Sequence, residues 1–216
     1  MQDLTLRENV LEELEYEPAV DAALIGVAVE KGTVTLTGHV MSYPEKLSAL
    51  DAVRRVKSVR AIADNIEVRQ RSALKTPDDQ IAKRAADIIG WDSIVPKDAI
   101  SIVVRDGWIT LTGKVSWHYQ KKAAEVDVRK LTGVRGVDNY IQIVPPVNTG
   151  DIKRKIEDAL KRHAEIEAKA ITVSVKDNTV VLEGRVDNFD ERSAVENAAW
   201  SAAGVQFIDD RLKVGS

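Results

Sequence analysis

Asp106-Gly107-Trp108-Ile109-Thr110-Leu111-Thr112-Gly113-Lys114-Val115 reads as a tight turn followed by a strand, and the chain writes it three times. The other copies are Lys31-Gly32-Thr33-Val34-Thr35-Leu36-Thr37-Gly38-His39-Val40 and Asp177-Asn178-Thr179-Val180-Val181-Leu182-Glu183-Gly184-Arg185-Val186. Their last glycines, Gly38, Gly113 and Gly184, lie 75 and 71 residues apart. That period is longer than a solenoid repeat, so each unit is expected to be a self-contained small domain. Function should then belong to a repeated module, not to one unique active site.

Working outward from the turn, a short strand precedes each copy. The turn pairs supply residues that tolerate positive φ, as a two-residue hairpin loop requires. Such a loop sets Val29 against Val34 and Val27 against Leu36, so four apolar side chains share a face while Thr33, Thr35 and Thr37 point away. An amphipathic helix comes before each hairpin, carried by Val10, Leu11 and Leu14, by Ile81, Ala85, Ile88 and Ile89, and by Ile152, Ile156, Ala159 and Leu160. Thr76-Pro77-Asp78-Asp79 reads as a cap, an N1 proline and first-turn acids.

A second helix follows each hairpin, opened by the capping-box patterns Ser42-x-x-Glu45 and Asn188-x-x-Glu191. Gly133 and Gly204 occupy the position that ends it. Repeat one carries Ser58 there, which predicts a less regular helix end. A last strand is expected through Ile66–Val68, Ile141–Ile143 and Leu212–Val214. The fold class is therefore α+β: three tandem αββαβ modules, each with two helices on one face of a three-stranded mixed sheet. Domains are expected at 1–72, 73–146 and 147–216, joined through short segments near 71–77 and 145–150. Units of this size bury only roughly 60% of their unfolded surface, which favours packing of the repeats on one another.

The chain has no cysteine, which excludes disulfides, thiolate metal sites and cysteine nucleophiles. The N-terminal segment lacks a basic n-region and an apolar h-region, so as written the protein is expected to be soluble and cytoplasmic. If the chain is a trimmed mature form, a periplasmic location is expected instead. The net charge of −3 divides unevenly, as −3, +2 and −2 over the three domains. Only the middle domain is basic, which makes it the one suited to an anionic partner.

The αββαβ order, the val-x-leu-x-gly-x-val strand after a glycine or asparagine turn, and the helix ending in gly-val before an Asp/Asn-rich strand resemble the BON domain. This module occurs in osmotic-stress periplasmic proteins, nodulation proteins and some secretins. The resemblance covers nearly the whole chain as three copies. It implies a non-enzymatic bacterial module that binds phospholipid or supports the envelope under stress.

Residues for catalysis are not assembled by any motif. His39, His118 and His163 fall in three different contexts without metal-ligand spacing, so neither a metal site nor a cofactor is expected. Asp64, Asn139 and Asp210 share a column before the last strand and read as a turn or helix-end device. Gly133-Val134-Arg135-Gly136 has the GxxG form of an RNA-binding loop, but its counterparts Ser58-Val59-Arg60-Ala61 and Gly204-Val205-Gln206-Phe207 do not keep it, and no nucleic-acid partner is expected.

The repeat supplies a control for each tryptophan. Trp108 stands where the other copies have Thr33 and Thr179, Trp117 where they have Ser42 and Asn188, and Trp200 where they have Arg54 and Arg129. Aromatic rings in polar columns suit a membrane interface or a contact with a neighbouring domain or subunit. Trp91, beside Ile94-Val95-Pro96, reads as core or linker packing. With Lys114, Lys121 and Lys122 nearby, Trp108 and Trp117 are expected to contact an anionic phospholipid surface, the rings anchoring and the lysines pairing with phosphate. The alternative is a structural or protein-interaction scaffold, or an oligomer, in which these rings are buried between domains or chains.

Overall fold

The computed structural model describes residues 3–69, 76–145, 151–162 and 171–215. His163 and most of the two expected joints lie outside them. The first domain runs α1 (Asp3–Tyr16), β1 (Ile25–Glu30), β2 (Thr33–Val40), α2 (Tyr43–Arg55) and β3 (Ala61–Val68). The second repeats it as α3 (Asp78–Trp91), β4 (Ile100–Arg105), β5 (Trp108–Val115), α4 (His118–Val128) and β6 (Gly136–Ile143). The third has α5 (Ile152–Arg162), β7 (Ile171–Lys176), β8 (Thr179–Val186), α6 (Phe189–Trp200) and β9 (Phe207–Val214). Each sheet has the order first-second-third strand, the hairpin antiparallel and the last strand parallel to its neighbour.

The hairpins close as the turn residues dictate. Asp106 and Gly107 take φ of 50° and 77°, and Asp177 and Asn178 take 47° and 66°, a left-handed pair in each case. The register follows, with Val27 opposite Leu36 and Val29 opposite Val34. Val34, Leu36, Ile109, Leu111, Val180 and Leu182 have no exposed surface and form the floor of each core. Asp78 opens α3 and accepts the turn amides of Asp106 at 2.7 Å and Gly107 at 2.9 Å, so its carboxylate pins the hairpin to the helix. Asp3 does the same for Lys31 at 2.9 Å. Gly113 is required by close approach, because a Cβ there would collide with the Ala99 carbonyl oxygen.

The last strands begin earlier than the sequence suggested, at Ala61, Gly136 and Phe207. Asp64, Asn139 and Asp210 therefore lie within strands, and the turn reading of this column is corrected. Each accepts the backbone amide two residues on, at 3.0, 3.2 and 2.8 Å, and each reaches the second helix of its domain. Asp64 pairs with Lys46 at 2.9 Å and Asp210 with Arg192 at 2.6 Å. Asn139 donates to the Lys121 carbonyl and to Glu125 Oε2, both at 3.0 Å. A polar residue interrupts the alternation of each strand because it ties strand to helix.

The three domains meet through one position. Tyr43, His118 and Phe189 are the first residues of α2, α4 and α6. Tyr43 packs against the core of the second domain as well as its own. His118 stacks on Trp200 of the third domain, and Phe189 packs on the core of the first. A single heterologous contact used three times closes the chain into a ring. Ser58, at the end of α2, holds φ at 75° where Gly133 and Gly204 hold 102° and 97°. Its helix end therefore keeps the left-handed geometry of the glycines.

Candidate functional site

The middle domain carries most of the large apolar side chains that remain exposed among the described residues, namely Trp91, Ile94, Val103, Trp108, Tyr119, Tyr140 and Val144. Trp91 is 86% exposed at the end of α3, so its assignment to core or linker packing is corrected. An amphipathic helix ends there, and the ring has turned off the apolar stripe formed by Ile81, Ala85 and Ile89.

Trp108 begins β5 and Trp117 lies just beyond its end. Seven steps of about 3.3 Å separate the two ends of β5 by roughly 23 Å, so the two rings belong to two different surfaces. Trp108 faces outward from the sheet, opposite Gly136 in register. A Cβ on Gly136 would strike Cε3, Cζ3 and Cη2 of the indole, so the ring lies across the glycine backbone.

At the other end of β5, Trp117 is half-buried at the position that caps α4, and its ring stacks with exposed Tyr119 at a centroid distance of 6.4 Å. Indole offers no acceptor to the helix amides. The reach-back half of the capping box survives through Gln120, whose Oε1 accepts from Ser116 and Trp117 at 3.1 Å each. Gln120 Nε2 also donates to the Ile94 carbonyl at 3.3 Å, which brings Ile94, 47% exposed, to this end of the domain. Lys114 is exposed one residue before the end of β5, and Lys122 is exposed on the second turn of α4. Lys121 is half-buried; burial lowers its pKa while Glu125 opposes the shift. The structure thus gathers Trp117, Lys114, Lys121 and Lys122 near one end of β5 and leaves Trp108 at the other.

Trp200 is turned inward onto His118, with ring centroids 4.2 Å apart and planes 7° apart. Burial, then Lys122 and Lys121, push the His118 pKa down to about 4. Tyr119 and Ile94 escaped the sequence reading, although Pro44 and Asp190 in the Tyr119 column gave the same signal as the tryptophan columns. Among the described residues no three His, Asp or Glu side chains form a metal-sized cluster, and no helix is long and apolar enough to cross a membrane.

Three copies of one αββαβ sandwich, with exposed rings concentrated on the middle copy, define a modular α+β protein. The family model for the BON domain matches residues 2–70, 77–145 and 148–216, and the chain belongs to the BON domain family. No curated protein matches it. Two solved structures of CdsD, a structural protein of the type III secretion system of Chlamydia trachomatis, one of them its C-terminal domain, align at 16% identity with a TM-score of 0.27. The alignments cover 97% and 99% of this chain and 92% and 98% of those chains.

Proposed function

We propose that the protein is a non-catalytic, bacterial stress- or envelope-associated BON protein that settles on anionic phospholipid through the α4 end of its middle domain. The observation that carries this reading is the stacked pair of half-buried Trp117 and exposed Tyr119, beside exposed Ile94 and with exposed Lys114 and Lys122 close in sequence on the only basic domain. Amphipathic rings insert at the headgroup level, and each nearby lysine adds about 1 kcal/mol of attraction to an anionic surface. Lys121 contributes from the same helical turns.

Vesicle flotation of the intact protein tests it. Phosphatidylglycerol-containing vesicles should carry the protein up at low salt and less at physiological salt, and pure phosphatidylcholine should carry less. Trp117→Ser with Tyr119→Asp should abolish flotation without unfolding, because Ser42 fills the first column in the first domain and caps a helix well, and Asp190 fills the second in the third domain. Absence of flotation under all conditions, or flotation unchanged in the variant, would overturn the assignment and favour a protein-interaction scaffold.

A further inference from the structure

The outer face of the middle sheet carries a second feature, which does not depend on the lipid reading. One face of the Trp108 indole is spent on Gly136, so the other is presented to solvent, and the residue is 46% exposed. It forms part of an open hollow of about 650 Å³ with Val103, Arg105, Asp106, Arg135 and Asp138 in its walls. None of these four charged side chains forms an ion pair among the described residues. Two guanidinium groups and two carboxylates therefore surround one aromatic plane with no net charge.

The sister domains act as internal controls. Register equivalence puts Ala28, Glu30, Thr33 and Ala63 in the first domain, and Ser174, Lys176, Thr179 and Asp209 in the third, where the middle domain has Val103, Arg105, Trp108 and Asp138. Arg60 keeps the place of Arg135 in the first domain, and Asp177 and Asp209 keep those of Asp106 and Asp138 in the third, so the module does without the ring, and only the middle domain joins the ring to all four charged groups.

We propose that this face binds an uncharged oligosaccharide. A pyranose presents a flat face of polarised C–H groups, which is attracted to the negative face of an indole. Its rim is a belt of hydroxyls that donate and accept at once. Carboxylates accept from hydroxyls and guanidinium groups donate to them, so unpaired Asp106, Asp138, Arg105 and Arg135 supply both halves of that exchange. The balance of charge disfavours a phosphate or an acidic chain, since either would meet two carboxylates. A shallow, wet hollow is unlike the enclosed apolar cavity that a small hydrophobic ligand fills. Chain-like glycans, by contrast, lie across such open faces, with water completing their contacts.

Titration of the intact protein with cellohexaose, maltohexaose, chitohexaose and mannohexaose, followed by tryptophan emission and calorimetry, tests the inference. At least one of these sugars should bind and shift the emission. Trp108→Thr installs the first and third domains' own residue; it should weaken binding at least about tenfold while leaving the melting temperature and vesicle flotation unchanged. Trp108→Phe should keep a measurable part of it. No binding by any of the four sugars, or binding that survives Trp108→Thr, overturns the proposal. Loss of vesicle flotation in Trp108→Thr with all sugars inert would overturn it too and give this face to lipid.

Discussion

His118 of α4 and Trp200 of α6 lie ring on ring across the junction of the second and third domains, nearly parallel with centroids 4.2 Å apart. The folded imidazole has its pKa at about 4, against 6.5 for the free side chain, with burial the main cause and Lys122 and Lys121 adding to it. Between those values the unfolded chain binds a proton that the folded one refuses. The stability that neutral His118 contributes is thus complete above pH 6.5 and drains away as pH falls toward 4. Thermal melts of the wild type and His118→Phe should diverge over that window, the wild type losing more. Parallel curves would show that the stack does not exclude the proton.

Glu196 and Asp210 give a dependence of opposite sign. Burial, then the hydrogen bond and charge of Asp210, push Glu196 up to about 7, against the pull of Arg192. Burial also works to raise Asp210, but hydrogen bonds from Glu196, the Leu212 amide and Arg192 outweigh it and hold the carboxyl below its usual value. The pair therefore keeps one proton, on Glu196. An acid raised on folding stabilises fully below its unfolded pKa of 4.5, and that contribution is lost as pH climbs through 7. Glu196→Gln carries a permanent donor, so it should gain urea resistance over the wild type at pH 8 and little at pH 5. Equal midpoints at pH 8 would refute the shared proton.

Ser58 stores backbone strain. A non-glycine residue at φ of 75° is disfavoured, and Ser58→Gly should raise stability by up to about 1 kcal/mol. Gly133→Ala should do the reverse by about 2 kcal/mol. Its φ is 102°, and the new Cβ would press on Ile81 Cδ1 and Thr76 Cβ. Denaturant midpoints of the two variants measure both effects.

Phe189 closes the ring of domains by packing on the first core. Phe189→Ala removes part of an aromatic side chain's burial, about 1–2 kcal/mol. It should also split a single calorimetric transition as the third domain melts apart from the first. Phe189→Tyr, which copies Tyr43, should melt as one unit; a split transition in this variant as well would count against the pseudo-threefold contact.

Much of this was legible from local rules. The turn pair, the alternation beside it and the two helical stripes are set by nearest-neighbour chemistry, so Asp106-Gly107 determined the pairing of Val104 with Ile109 before any tertiary contact was considered. Family membership followed from the same repeated pattern. The Asp64 column was misread because a carboxylate or amide interrupting a strand looks like a turn until its partner is known. Those partners are Lys46, Glu125 and Arg192, each on a helix 14 to 18 residues away in sequence.

The sequence by itself determined three copies of one αββαβ unit, their hairpin register and the polar columns into which aromatic rings were placed. Only the tertiary structure decided where those rings went: Trp200 onto His118, Trp91 into solvent, Trp108 and Trp117 to opposite ends of one strand. Periodicity reports which side of an element is apolar, because that is a property of successive residues. Which neighbour covers a given ring depends on how separate elements dock, and that is settled by shape and burial across the whole molecule.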